Sequence, residues 1–193
     1  MKSIYLILDM QNDLVHADGP NGKSPLGEQV RARRVVENTA AALKKARDAG
    51  IAVGFVRVGF SEGYPECPKN SPVFGGAPKV GLFQLGKWGT EIHPALEQRS
   101  GDVQVVKHRV SPFYSTTLAA QLSAQGIGRI YCSGVSTQAV VQAAVRDGHD
   151  RDFEMWVLED ACCAHSGEEH RNSMGSIARF CRVTTTAEVD FHA

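Results

Sequence analysis

The chain is punctuated by short, unbroken apolar runs. Ile4-Tyr5-Leu6-Ile7-Leu8 stops at Asp9, and comparable runs follow at Ile51–Val58, Val103–Val106, Arg129–Cys132, Phe153–Leu158 and Arg182–Thr185. A run without polar alternation suits a strand covered on both faces. The intervals between the runs read as helices. Residues 28–49 place Val30, Val35, Val36, Ala40 and Leu43 at mostly helical spacing, with Gly50 where a C-terminal cap belongs. Ser115–Gln125 ends at Gly126 in the same way, and Thr137–Asp147 precedes Gly148. Ser166-Gly167-Glu168-Glu169 matches a capping box and predicts a helix reaching about Phe180. Strands alternating with helices predict an α/β sandwich built on a mainly parallel sheet.

A length of 193 residues favours a single domain spanning 1–193, large enough to fold without a disulfide or a structural metal. With 42% hydrophobic and 22% charged residues, disorder and fibrous classes are excluded. Lys+Arg and Asp+Glu are 21 each, so no net field draws the chain to nucleic acid or to an anionic membrane. No apolar run approaches the roughly 20 residues that span a bilayer. Five cysteines, an odd number with no C-x-x-C pair and no secretory leader, predict reduced thiols in a cytoplasm.

Two stretches break the rhythm. Met10–Gly27 and Gly59–Gly89 are rich in Gly and Pro, and each leaves the carboxyl end of a strand, where ligands bind in open α/β sheets. They are expected to wall a pocket. Tyr64, Phe74, Phe83 and Trp88 could line it, or could equally anchor their own loop.

Three features could carry chemistry. Asp9 follows five apolar strand residues, a half-desolvated position where a carboxyl pKa can rise into a useful range. The alternative is an aspartate capping the next loop. Lys107 follows Val103–Val106 in the same relation and could hold Asp9 ionised or stabilise negative charge. A solvated loop lysine is the alternative. Cys132-Ser133-Gly134-Val135-Ser136-Thr137-Gln138-Ala139-Val140-Val141 runs from a strand into a helix, whose free N–H groups could form an oxyanion hole. It is not a phosphate loop, since G-x-G-x-x-G and the Walker pattern are absent.

With these elements in place, the sequence resembles the isochorismatase-like hydrolases, also called the cysteine hydrolase superfamily. The matching segments are Leu8-Asp9-Met10-Gln11-Asn12-Asp13-Leu14, Ile92-His93-Pro94, Lys107 through Leu118, Gly134-Val135-Ser136-Thr137 and Leu158-Glu159-Asp160-Ala161. Their order and spacing cover nearly the whole chain. The resemblance implies a three-layer α/β/α sandwich with a six-stranded sheet in the order 3-2-1-4-5-6, a homo-oligomer (dimer or tetramer), and a small-molecule substrate with a carbon–nitrogen or vinyl-ether bond. It implies Asp9 as general acid/base, Lys107 as its charged partner, a cis peptide between Val135 and Ser136, and an oxyanion hole from the Ser136 and Val140 N–H groups. Gln11, Phe113 and Trp88 become candidate substrate contacts.

The sequence also departs from that pattern. The amidase members' nucleophilic cysteine would fall at Val140, which has no nucleophile, so an acyl-enzyme at this position is excluded. Cys132, Cys162 and Cys163 are the thiols that could substitute, although buried structural cysteines are the commoner case. An Asp–Lys pair beside N–H donors suits proton transfer followed by attack of water, as in isochorismatases, which lack the cysteine. A catalytically inactive, ligand-binding member is the competing expectation. Nicotinamidase-type members hold a metal through an Asp-x-His pattern and further histidines after the second strand. No histidine lies between His16 and His93, so neither a metal nor another cofactor is expected. His108, His149, His165, His170 and His192 show no ligand spacing and are expected at solvated loops or helix ends. His16 and Asp18 could reach the pocket mouth, and Arg57 could meet a substrate carboxylate. The order 3-2-1-4-5-6 poses one difficulty: Lys107 ends a strand two spacings, about 10 Å, from the one carrying Asp9.

Overall fold

The computed structural model describes residues 1–192. Six strands, β1 (Lys2–Leu8), β2 (Ala52–Val58), β3 (Val103–Lys107), β4 (Ile127–Val135), β5 (Glu154–Cys163) and β6 (Arg182–Thr184), form one sheet in the order β3-β2-β1-β4-β5-β6. Every neighbouring pair is parallel.

The first apolar run explains why the sheet needs two helical layers. Side chains alternate across a strand, so Ile4, Leu6 and Leu8 enter one core while Tyr5 and Ile7 enter the other. The first core is closed by α5 (Leu118–Gln125), α6 (Gln142–His149) and α7 (Gly167–Ile177), through Leu118, Leu122, Ala144, Val145, Met174 and Ile177. The second is closed by α2 (Pro25–Ala32) and α3 (Val35–Asp48), through Leu26, Val30, Val35, Ala42, Leu43 and Ala46. Short helices α1 (Asn12–Val15) and α4 (Ala77–Val80) lie in the two long loops. No helix among the described residues is long and apolar enough to cross a membrane.

Three helix expectations need correction. The pattern over 28–49 is two helices, broken where Arg34 takes φ 54°. The break leaves the Arg33 side chain free to reach the carbonyls of Cys162 and Glu159 beyond β1 and β4. Gly148 does not cap a helix but lies inside α6, where a Cβ would sit 2.5 Å from Met155 Sδ; close helix–sheet packing explains the glycine. The Thr137–Asp147 stretch opens as a π-helical turn, Thr137–Val141, before α6. The Ser166 cap is as expected, accepting from the Glu169 N–H, and its helix stops at Ile177.

Candidate active site

The site lies where the chain order of the sheet reverses, between β1 and β4. Gly134 pairs with Leu8 across these central strands and takes φ 133°; a Cβ there would lie 2.0 Å from the Leu8 carbonyl oxygen. Only glycine lets the backbones approach this closely. The Val135–Ser136 peptide that follows is cis, and the Ser136 carbonyl accepts from the N–H groups of Ala139 and Val141, starting the helical turn.

Asp9 leaves β1 with φ 55°, a left-handed conformation that aspartate tolerates better than most residues. Its Oδ2 lies 2.8 Å from Lys107 Nζ, with both side chains almost wholly buried. The ten-ångström gap is therefore covered by the extended lysine stem, which passes the end of β2 and also donates to the Arg109 carbonyl at 3.1 Å. Asp9 Oδ1 is buried and makes no hydrogen bond. Burial pushes the Asp9 carboxyl above the ordinary carboxylate value, and the Lys107 ammonium opposes this without cancelling it.

Asp9 and Lys107 open onto a cavity of about 470 Å³, shared with Ser136, Gln138, Val140 and His165. Both irregular loops contribute walls: Leu14, Asn21 and Leu26 from the first, Val73, Phe74, Leu82 and Phe83 from the second. A larger surface cleft, beside Met1, Ile51 and Phe191, contains no comparable pair of buried charges.

Several expected contacts lie elsewhere. Gln11 is fully buried and outside the lining, because its amide accepts from the Val58 N–H and donates to the Val58 carbonyl, at 2.9 and 3.0 Å. It staples the start of the first loop to the end of β2. Gln11→Ala would leave both backbone groups unpaired, and denaturant unfolding should register a loss of at least about 2 kcal/mol. Phe113 is core, stacked on Phe153 beneath Arg151. Trp88 is exposed and packs edge-on against His16, outside the cavity. Neither His16 nor exposed Asp18 lines it. Tyr64 packs beside Phe60 in the loop's own small core. Arg57 turns to the Thr90 carbonyl and a separate cleft.

None of the five cysteines lines the cavity. Cys132 and Cys162 are fully buried with their thiols pushed up by burial, and the Cys163 thiol is pushed up to about 12 for the same reason. No thiol stands where it could attack a ligand.

Sequence reasoning missed three contributions. Two residues after Asp9, outside the lining, tie the two pocket loops together: Asn12 Nδ2 donates to the Trp88 carbonyl, and Asp13 Oδ2 accepts from the Phe83 N–H. His165 lines the cavity, with Nδ1 2.6 Å from Gln138 Nε2. His170, expected at a solvated helix end, is buried; its Nδ1 is 2.9 Å from Thr137 Oγ1, and its Nε2 is 3.0 Å from Arg33 Nη2. Glu159 Oε1 also lies 3.3 Å from Nε2, so a donor and an acceptor both face that nitrogen. Burial, then Arg33, pull the His170 pKa down, so the ring stays neutral and pins the turn after the cis peptide. His108 is likewise held, by the Gly59 carbonyl, whereas His149 and His192 are exposed as expected.

Comparison with known proteins places the fold. The signature of the Isochorismatase domain matches residues 3–188. An uncharacterized isochorismatase family protein of Escherichia coli O157:H7, YecD, is 33% identical over 187 residues, covering 95% of this chain and 92% of the relative. The ureidoacrylate amidohydrolase RutB of Acinetobacter baylyi is 30% identical over 192 residues, covering 93% and 78%. The crystal structure of an isochorismatase family protein from Desulfovibrio vulgaris superposes with a TM-score of 0.85 at 24% identity, over 96% and 95% of the two chains. With the domain signature spanning all six strands and both sides of the Asp9–Lys107 site, the chain belongs to the isochorismatase family of hydrolases.

Proposed function

We propose that this hydrolase cleaves a vinyl ether or a carbon–nitrogen bond of a small molecule by acid–base catalysis through Asp9 and Lys107, without a covalent enzyme intermediate. The observation that carries the reading is Asp9 itself: a buried carboxyl at the cavity wall, one oxygen held by Lys107 and the other without a partner. A carboxyl pKa raised by burial is the condition for an acid that still holds its proton when substrate arrives.

In the proposed reaction Asp9 gives its proton to the vinyl carbon or to the leaving nitrogen. Water attacks the electrophilic carbon and its surplus proton returns to Asp9, restoring the acid. For a carbon–nitrogen substrate the C–N bond is thereby exchanged for a C–O bond and an N–H bond; for a vinyl ether the hemiketal so formed then breaks its ether C–O bond, its hydroxyl proton passing to the departing alcohol oxygen and leaving a carbonyl. Lys107 holds the carboxyl in place and limits its rise in pKa. For a carbon–nitrogen substrate, the N–H groups of Ser136 and Val140 would stabilise the developing oxyanion. Val140 occupies the cavity wall where the resemblance puts the amidases' nucleophile, and its side chain offers only packing. The similarity to RutB supports including carbon–nitrogen substrates.

The test is a screen of vinyl ethers, small amides and ureides against the parent and Asp9→Asn. The parent should turn over at least one class, and the variant should lose about 10²–10⁴-fold in kcat. Because Asp9 must be protonated to act as acid, kcat should fall as pH rises through its raised pKa, a limb above the ordinary carboxylate value of 3.8. A variant as active as the parent would refute the mechanism. A parent inert toward all three classes would favour a binding protein.

A further inference from the structure

We propose that the cavity selects an uncharged, largely apolar compound carrying an N–H donor, and discriminates against carboxylates. This rests on the reading of the Asp9–Lys107 cavity as the substrate site and adds the class of molecule it takes. Three lining residues can carry charge: Asp9, Lys107 and His165. Lys107 is committed, with Nζ at 2.8 Å from Asp9 Oδ2 and at 3.1 Å from the Arg109 carbonyl. The Glu169 carboxylate lies 3.6 Å from His165 Nδ1. Among the described residues no guanidinium lines the cavity. Arg109 donates to the Glu66 and His108 carbonyls, Arg57 to the Thr90 carbonyl, and Arg33 is paired with Glu159.

While Asp9 is ionised and paired with Lys107, a carboxylate entering here would lose its hydration, meet no free cation and lie beside a second carboxylate; only Asp9 in its protonated, catalytic form leaves the Lys107 charge uncompensated. Burying an unpaired charge is among the costliest things a binding site can do. The rest of the wall favours the opposite class. Leu14, Leu26, Phe74, Leu82, Phe83 and Val140 offer apolar surface. Gln138 donates through Nε2 to His165, and its Oε1 is buried with no hydrogen-bond partner. That oxygen is an unsatisfied acceptor on a lining residue, suited to an amide or urea N–H and not to a carboxylate, which would repel it.

Matched pairs test this on the intact parent: phenylacetamide against phenylacetate, and hexanamide against hexanoate, with Kd measured by titration at neutral pH. Each amide should bind at least about 100-fold more tightly than its carboxylate. Val73 lines the cavity and is 60% exposed, so Val73→Arg should fold normally and narrow the gap by about tenfold by supplying the missing cation. Gln138→Leu should weaken the amides and leave the carboxylates unchanged. Carboxylates binding as tightly as the amides, or neither class binding, would overturn the proposal. Turnover separates it from the catalytic reading. A hydrolase that prefers anions defeats the selectivity alone, and tight amide binding by a protein inert in the broader screen defeats the chemistry alone.

Discussion

Lys107→Met is expected to cost about 3–5 kcal/mol of stability at neutral pH, the range for removing one partner of a buried ion pair. The mechanism sets its own ceiling. Without the ammonium, buried Asp9 escapes its charge by taking a proton, and at 1.4 kcal/mol per pH unit the gap from 3.8 to 7 amounts to about 4 kcal/mol. The sign with pH follows. The folded-state pKa of Asp9 is raised, so its neutral form folds better, and stability is lost as pH rises from the ordinary value through the folded one. Lys107→Met raises that pKa further and steepens the loss. Denaturant unfolding should show the gap between variant and parent narrowing from pH 7 to pH 5. The double variant Asp9→Asn/Lys107→Met removes both charges and should recover much of the loss while remaining inactive. Strict additivity of the two single variants would mean the pair is not coupled.

Gly134→Ala should be at least as damaging, with a loss beyond about 4 kcal/mol or failure to accumulate folded protein. The added Cβ would stand 2.0 Å from the Leu8 carbonyl oxygen, and the residue would have to hold φ 133°. Neither strand can retreat, because Leu8 and Gly134 are neighbours at the centre of the sheet. Gly175→Ala provides the contrast. It lies within α7 with nothing within 4 Å of its would-be Cβ, and should stabilise the protein by up to about 1 kcal/mol. Urea midpoints for the two variants should move in opposite directions; similar destabilisation by both would show that general loss of glycine, not the Leu8 contact, is responsible.

The legible part of the site was the part written in strand ends. Asp9 and Lys107 each close an apolar run, and in a parallel sheet such residues emerge on the same edge, so their meeting follows once the order of strands is known. The two long loops were legible as pocket walls for the same reason. The residues misjudged share a different property. Gln11, Phe113 and Trp88 were placed near the pocket by proximity in sequence to Asp9, Lys107 or the second loop. Their directions are set by partners far along the chain: Val58 for Gln11, Phe153 for Phe113 and His16 for Trp88. His170 shows the converse, a histidine on a polar-looking helix that is buried only because Arg33, Glu159 and Thr137 converge on it.

The sequence by itself determined where the strands run, that they are covered on both faces with helices between them, and the chemical types available at the strand ends, because periodicity and apolar burial are local properties of the chain. Only the tertiary structure decided that Lys107 reaches across β2 to Asp9, that Gln11 serves a backbone and not a ligand, and that no thiol or free guanidinium faces the cavity. Those outcomes depend on side-chain direction and on pairing between residues tens to more than a hundred positions apart, where a few ångströms separate a buried ion pair from two unrelated charges.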